Sequence, residues 1–162
     1  MFYKVISLML LTFALHVIGA AQNEAHKGQG YVFFAPGVIT GGGVSEGTFQ
    51  FGGGGEGFLY KGLAAGGEIG YVAPWKHSRE GIGLLSLDGS FHLKRSSRLS
   101  PFVTGGYSLA FRYGHANAVN YGGGVNWWIS EGKGLRLEFR DHVETQFTDV
   151  HYVGFRIGFA FR

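Results

Sequence analysis

The sequence predicts an all-β fold, with eight antiparallel strands running up and down and closing into a transmembrane β-barrel. Three observations predict it. The first is a period of two: in Gly134 to Arg140 and in Val153 to Arg162 every odd position is bulky and apolar, and almost every even position is Gly, Ala or a charge. The second is composition: the chain carries 30 Gly in 162 residues without a G-X-Y period, interleaved with 15 Phe, 8 Tyr and 3 Trp. That mixture excludes both collagen and a disordered chain. The third is the face that the small residues occupy. Gly and Ala share the charged face, which suits a narrow interior, whereas a lipocalin-like soluble barrel places its apolar side chains inside and its charges outside. Apolar outside and polar within is the alternation of a membrane barrel.

The start of the chain stands apart from this pattern. Lys4 precedes an apolar run from Val5 to Leu15, His16 interrupts it, and Val17-Ile18 leads into Gly19-Ala20-Ala21. The run falls short of the ~20 residues a spanning helix needs and has the order of a signal peptide, positive then apolar then small. Residues 1–21 are therefore expected to be removed, with cleavage after Ala21, and residues 22–29 to form a flexible lead-in. Residues 30–162 form the barrel domain.

The strands follow in order. Strand 1 is Gly30 to Ala35, with Tyr31, Phe33 and Ala35 outward, and it closes on Pro36-Gly37; Val38 to Gly47 forms the first loop. Strand 2, Thr48 to Leu59, turns Phe49, Phe51 and Leu59 outward and Gln50, Gly52, Gly54 and Glu56 inward. Tyr60-Lys61-Gly62 fits a tight hairpin with Gly in the left-handed position. Strand 3, Leu63 to Val72, sends Leu63, Ala65, Ile69 and Tyr71 out and Glu68 in. After a polar loop from Pro74 to Glu80, strand 4 runs from Leu84 to Lys94, with Leu85, Leu87, Phe91 and Leu93 toward lipid and Ser86, Asp88, Ser90, His92 and Lys94 inward. Strand 5, Pro101 to Arg112, places Pro at its first residue, where a missing N–H is tolerated. Strand 6 is Ala118 to Ile129. Strands 7 and 8 are the two segments already described, joined through Asp141 to Val150.

Shorter connections alternate with longer ones, as in an even-stranded barrel with both termini on the periplasmic side. Two aromatic belts are expected: Tyr71, Trp75, Phe111, Tyr113, Tyr121 and Tyr152 at the outer interface, and Tyr31, Tyr60, Trp127, Trp128, Phe159 and Phe161 at the inner one.

Three stretches carry a resemblance: Ser100 to Tyr107, Tyr121 to Trp128 and Gly134 to Asp141. On these the chain resembles the small eight-stranded outer-membrane barrels of Gram-negative bacteria, the OmpA/OmpX-like or porin-family proteins. The resemblance spans the whole mature chain and implies an architecture rather than an activity. It implies an outer-membrane location, with outer-membrane lipids, lipopolysaccharide and the barrel-assembly machinery as partners. Such barrels finish on an aromatic residue, and here Phe161 is expected to take that role ahead of Arg162, as the end of a lipid-facing row of Phe155, Ile157, Phe159 and Phe161.

The inward positions collect opposite charges: Glu56, Glu68, Asp88 and Glu138 against Lys94, Arg112, Arg136, Arg140 and Arg156. Charges confined to a narrow interior must pair, because an isolated buried ion is far too costly. A lumen ion network is therefore expected, with Arg136, Glu138, Arg140 and Arg156 at its centre and Glu56 and Glu68 opposite. It fills the interior and leaves the barrel plugged.

Other chemistries are poorly supported. Gly52 to Gly57 satisfies G-x-G-x-x-G, but strand alternation follows it where a dinucleotide site needs a helix. His142, Glu144, Asp149 and His151 cluster in sequence, yet His142 is inward and His151 outward by parity, so no metal is expected. Ser90, His92 and Asp88 share one inward face and read as lumen filling, so no catalytic residue is assigned and the chain is not expected to be an enzyme. A lipid A-modifying enzyme and a small diffusion pore remain the alternatives to a structural or surface-interaction role. With no Cys there is no thiolate chemistry, and a net charge of +3, evenly spread, gives no reason to expect nucleic acid. No cofactor is expected.

Overall fold

The computed structural model describes residues 27–95, 97–112, 114–146 and 150–162. The signal-peptide segment, most of the lead-in, Tyr113 and Asp149 lie outside the described residues. Eight strands follow in chain order: β1 (Gly28–Gly41), β2 (Val44–Tyr60), β3 (Leu63–Pro74), β4 (Ile82–His92), β5 (Leu99–Phe111), β6 (His115–Trp128), β7 (Lys133–Glu144) and β8 (His151–Phe161). Each pairs antiparallel with its sequence neighbours, and β1 pairs with β8 to close the barrel. Closure leaves no unpaired edge, the condition for a sheet to stand in hydrocarbon.

The two faces of the wall differ as the alternation requires. Ile69, Leu87, Val103, Phe139 and Phe159 project outward and are exposed, while Glu68, Ser86, Asn126, Glu138 and Arg156 project inward and are buried. At one end sit both described chain ends and the β2–β3, β4–β5 and β6–β7 turns, hereafter the turn end. The tightest of these, Lys61-Gly62, has positive φ at both residues (38° and 92°), the left-handed geometry that places Gly at the second position.

Several expectations are corrected. The barrel begins at Gly28, not Gly30, so Gly28 and Gln29 belong to the wall. The expected loop from Val38 to Gly47 is mostly strand, and only Gly42-Gly43, both at positive φ, make the turn. Likewise Asp141 to Glu144 continue β7. Polar residues at the ends of long strands look like loop in sequence, yet a ladder partner satisfies their backbone equally well.

Strand β1 also faces the other way. Val32 and Phe34 are exposed, while Tyr31, Phe33 and Ala35 are buried. The run Tyr31-Val32-Phe33-Phe34-Ala35 is apolar at both parities, so alternation cannot orient it. Register decides it instead: Tyr31 lies opposite Gly54 and Phe33 opposite Gly52, inward positions that leave room for rings. A Cβ on Gly54 would stand 2.9 Å from the Tyr31 hydroxyl and 2.5 Å from the Gly67 carbonyl, and one on Gly124 would meet the Phe102 ring at 2.9 Å. These glycines are the space into which the inward aromatics fit. The belts are corrected accordingly: Tyr31, Trp128 and Tyr152 are buried inside and leave them. Trp75 and Phe111 remain exposed near one end, and Tyr60, Trp127, Phe159 and Phe161 near the other, while Tyr121 is exposed at the middle of β6.

Candidate functional site: the charged lumen

Inward positions of β2, β3, β4, β7 and β8 converge on one buried network. Glu138, on β7, is its hub. Arg136 Nε donates to Glu138 Oε2 at 2.9 Å, Arg140 Nε to Oε1 at 2.5 Å, and Arg156 Nη1 lies 3.5 Å from Oε1. Residues two apart on a strand share a face, which brings Arg136, Glu138 and Arg140 into one column; the β7–β8 register sets Arg156 directly beside Glu138.

Each arginine also reaches across the lumen. Arg136 Nη1 donates to Glu56 Oε1 at 3.1 Å, Arg156 Nη1 to Glu68 Oε2 at 2.8 Å, and Arg140 Nη1 to Asp88 Oδ2 at 2.6 Å. Glu68, Arg136, Glu138, Arg140 and Arg156 are each at most 3 % exposed. In a low-dielectric interior such groups persist as ions only when each is paired and hydrogen-bonded on several sides.

Two of the expected members are not in it. Lys94 lies beyond β4 in the β4–β5 turn and is exposed, because the strand ends at His92. Arg112, also exposed, sits in the β5–β6 turn, where its φ of 134° takes it out of strand geometry and its Nη1 donates to the Gly81 carbonyl at 2.6 Å. Strand length fixes both corrections: parity names the face only while the residue remains in the sheet.

The network has partners that the sequence reading did not assign to it. The Arg136 guanidinium lies between two rings, 4.2 Å from the Tyr31 centroid and 4.0 Å from that of Phe102, and Arg156 lies 4.4 Å from Phe33. Desolvated cation–π pairs of this kind contribute ~2 kcal/mol. The Tyr31 hydroxyl donates to Glu68 at 3.1 Å, and Arg156 Nη2 donates to Gln50 Oε1 at 3.2 Å. Asn120 Nδ2 donates to Asp88 at 2.8 Å, and Gln29 Nε2 to Glu56 at 2.5 Å. The signal that would have found Tyr31 and Phe33 is the glycine pair across the ladder at Gly52 and Gly54.

In the Ser90, His92 and Asp88 group the acid is corrected: Asp88 is held by Arg140 and Asn120, and Glu56 stands beside the other two. Ser90 donates to Glu56, while His92 Nε2 lies 3.4 Å from Ser90 Oγ and 3.3 Å from Glu56 Oε1. Hydroxyl and carboxylate thus meet the same ring nitrogen, and Nδ1 has no hydrogen-bond partner among the described residues. A nucleophile relay needs the acid on the far nitrogen, so the trio does not form one. His92 is packed between the rings of Phe58 and Phe102, at 5.1 Å from each.

Nor does the last hairpin gather its histidines. His142 is buried in the lumen against Tyr152, with rings 5.4 Å apart, whereas His151 Nδ1 pairs with Asp141 Oδ2 at 3.0 Å on the outer wall. Among the described residues no group of three potential metal ligands comes together.

Packed side chains flank the network toward both ends of the barrel. Val72, Leu84 and Tyr152 pack together toward the loop end. Trp128 lies inside at the turn end, covered by the Arg162 guanidinium 4.1 Å from its ring, and Arg162 Nε donates to the Glu131 carbonyl at 2.8 Å. The row Phe155, Ile157, Phe159 and Phe161 stands exposed on the outer wall, so Phe161 is the last lipid-facing residue and Arg162 folds back over the lumen.

No protein-family pattern and no curated protein matches the chain. Solved structures do resemble it. Neisserial surface protein A superposes with a TM-score of 0.68 at 13% identity, covering 86% of this chain and 99% of that one. The N-terminal β-barrel domain of Pseudomonas aeruginosa OprF gives 0.59 at 15% identity, with 85% and 100% covered. A de novo designed transmembrane β-barrel gives 0.56 at 20% identity, covering 85% of this chain and 98% of that one. The chain has the fold of the small eight-stranded outer-membrane barrels. That a designed barrel shares it underlines that the fold carries no activity of its own.

Proposed function

We propose that the protein is a small integral outer-membrane barrel with a plugged, non-conducting lumen and a structural or surface-interaction role. The observation that carries this reading is the pairing of Arg136, Arg140 and Arg156 with Glu56, Glu68, Asp88 and Glu138 across the full width of the interior. Eight strands enclose just enough room for side chains, and these side chains hold one another in place. An ion entering would have to displace a buried guanidinium from its carboxylate, at a cost no bulk electrolyte repays. Interaction with the surroundings is then left to the outer wall and the two rims. On the loop side, exposed Lys76, His77 and Arg79 suit the phosphates of lipopolysaccharide. The row from Phe155 to Phe161 suits reading by the assembly machinery, since it forms one continuous apolar edge at the closing strand.

An enzymatic role has less support. Ser90, His92 and Glu56 lie inside the lumen with the wrong ring nitrogen engaged. Planar-bilayer recording tests the proposal: the purified, folded protein should show no steady conductance, and ohmic steps would replace the plugged barrel with a diffusion pore.

A further inference from the structure

The charges outside the lumen are unevenly distributed along the barrel axis. At the turn end stand Lys61 in the β2–β3 turn, Lys94, Arg95 and Arg98 in the β4–β5 turn, Lys133 at the start of β7 and Arg162 after β8. Among the described residues Glu131 is the one acid there. At the loop end acids and bases are interspersed: Glu46, Glu80 and Glu144 stand near Lys76, Arg79 and Arg112. One rim is a cationic collar and the other is close to balanced.

The collar borders a groove. A concavity of about 740 Å³ opens on the outer wall beside the β4–β5 turn, lined by Leu93, Leu99, Pro101 and Trp127 with Lys94 and Arg98. Leu99 and Trp127 are register partners across β5 and β6, and both are exposed on the face that meets hydrocarbon. Lys94 and Arg98 are exposed, and among the described residues neither side chain has an ion-pair partner. The groove therefore joins an apolar channel, continuous with the lipid-facing wall, to two cations at its polar end. Trp127 lies at the boundary, where amphipathic rings anchor to headgroups.

We infer that this groove binds an anionic glycerophospholipid, with its phosphate between Lys94 and Arg98 and an acyl chain along Leu93, Leu99 and Trp127. The inference rests on the outer-membrane reading given above. With the termini in the periplasm, the turn end lies in the inner leaflet, which is the phospholipid leaflet; lipopolysaccharide would meet the opposite rim. A free anion satisfies the two cations and leaves the apolar channel unused, whereas a phospholipid matches both. Cations beside an anionic membrane surface each raise affinity roughly fivefold.

The test uses the full chain carrying Trp75→Phe, so that Trp emission comes from Trp127 at the groove and from Trp128 inside the barrel. It is folded into phosphatidylcholine vesicles containing equal fractions of either brominated phosphatidylglycerol or brominated phosphatidylcholine. Folding is checked separately by the heat-dependent shift in electrophoretic mobility. The expected result is stronger quenching by the anionic lipid, equivalent to a preference of about fivefold or more. Lys94→Gln with Arg98→Gln should bring that preference to one while the heat shift persists; Lys61→Gln with Lys133→Gln, which removes the same charge elsewhere in the collar, should leave most of it. Equal quenching of the folded protein by both lipids overturns the site. Equal loss in the two double variants also overturns it, by assigning the preference to the collar as a whole. Absence of any heat-shifted form in either vesicle sinks the membrane reading itself, and the site with it.

Discussion

Arginines occur in two settings in this molecule, and their energetics differ. In the lumen, Arg136, Arg140 and Arg156 are buried, each held by at least two carboxylates. At the turn-end rim, Arg98 projects into water beside Lys94. The residue type is the same, but in the lumen the alternative to a made contact is an unpaired ion in a low-dielectric interior, and at the rim it is hydration. Burial, rather than charge, separates a group that holds the barrel together from one left available to a partner.

The largest effect that can sharpen this contrast comes from Glu138. Its two oxygens face Arg136, Arg140 and Arg156, so Glu138→Ala leaves three buried guanidinium groups competing for Glu56, Glu68 and Asp88. Breaking a buried pair from one side costs ~3–5 kcal/mol, and Glu138→Ala is expected at the upper end of that range. Urea unfolding in lipid vesicles, followed by the heat-dependent mobility shift, measures it. A loss below ~1 kcal/mol, the scale of an exposed pair, would erase the distinction between lumen and rim.

A smaller effect is expected where the network meets the wall. A Cβ on Gly124 would run into the Leu137 carbonyl and lie 2.9 Å from the Phe102 ring, which itself stacks on Arg136. Gly124→Ala must therefore push either backbone or ring, and overpacking of this kind costs ~1–3 kcal/mol. On the rim side, Gly43 has nothing within 4 Å of its Cβ position, although its φ of 79° still disfavours a side chain. Unfolding midpoints of the two Ala variants compared in the same vesicles separate a packing cost from a backbone cost.

How much of this was legible in the sequence follows from where alternation is unambiguous. On β7 each inward residue is charged and each outward one apolar from Leu135 to Arg140, so the face of Arg136, Glu138 and Arg140 could be read directly; Glu56 and Glu68, on glycine-rich strands, were readable for the same reason. Strand β1 carries apolar residues at both parities, and its orientation was a property of the ladder with β2 and β8 that no single strand encodes. Lys94 and Arg112 differ for another reason: each lies past the last paired residue of its strand, His92 in one case and Phe111 in the other, where parity no longer names a face. That the central arginines stack on Tyr31, Phe33 and Phe102 depends on ladder register between neighbouring strands: Phe33 sits on β1 beside the β8 strand of Arg156, and Tyr31 and Phe102 lie two strands to either side of Arg136 on β7.

The closing strand offers a comparison between neighbours. Phe161 is exposed on the outer wall, while Arg162 turns back over Trp128. Phe161→Ala is expected to lower the fraction of protein reaching the folded, heat-shifted form, because it shortens the apolar row that begins at Phe155. Arg162→Ala should leave that fraction within error of the parent chain, its guanidinium being bound to backbone carbonyls at the rim. Equal losses from the two changes would mean that the row is not what assembly reads.

The smallest effect is expected at Lys61, and it is the control on which the comparison depends. Lys61 stands in the β2–β3 turn, exposed, with its ammonium 5.0 Å from the Tyr60 ring centroid. A surface cation–π contact is worth ~0.5–1 kcal/mol at most, and the hydrated ammonium gives up nothing when it is removed. Its backbone sits at φ 38°, a conformation Lys and Ala adopt with similar difficulty, so Lys61→Ala adds no new strain. The expected change in unfolding free energy is within about 0.5 kcal/mol, the range of surface substitutions away from special features. Lys61→Gly should be the more stable of the two, since Gly tolerates that φ without cost. If Lys61→Ala instead destabilises the barrel as much as Glu138→Ala does, the collar is structural and the separation between a holding lumen and an available rim fails.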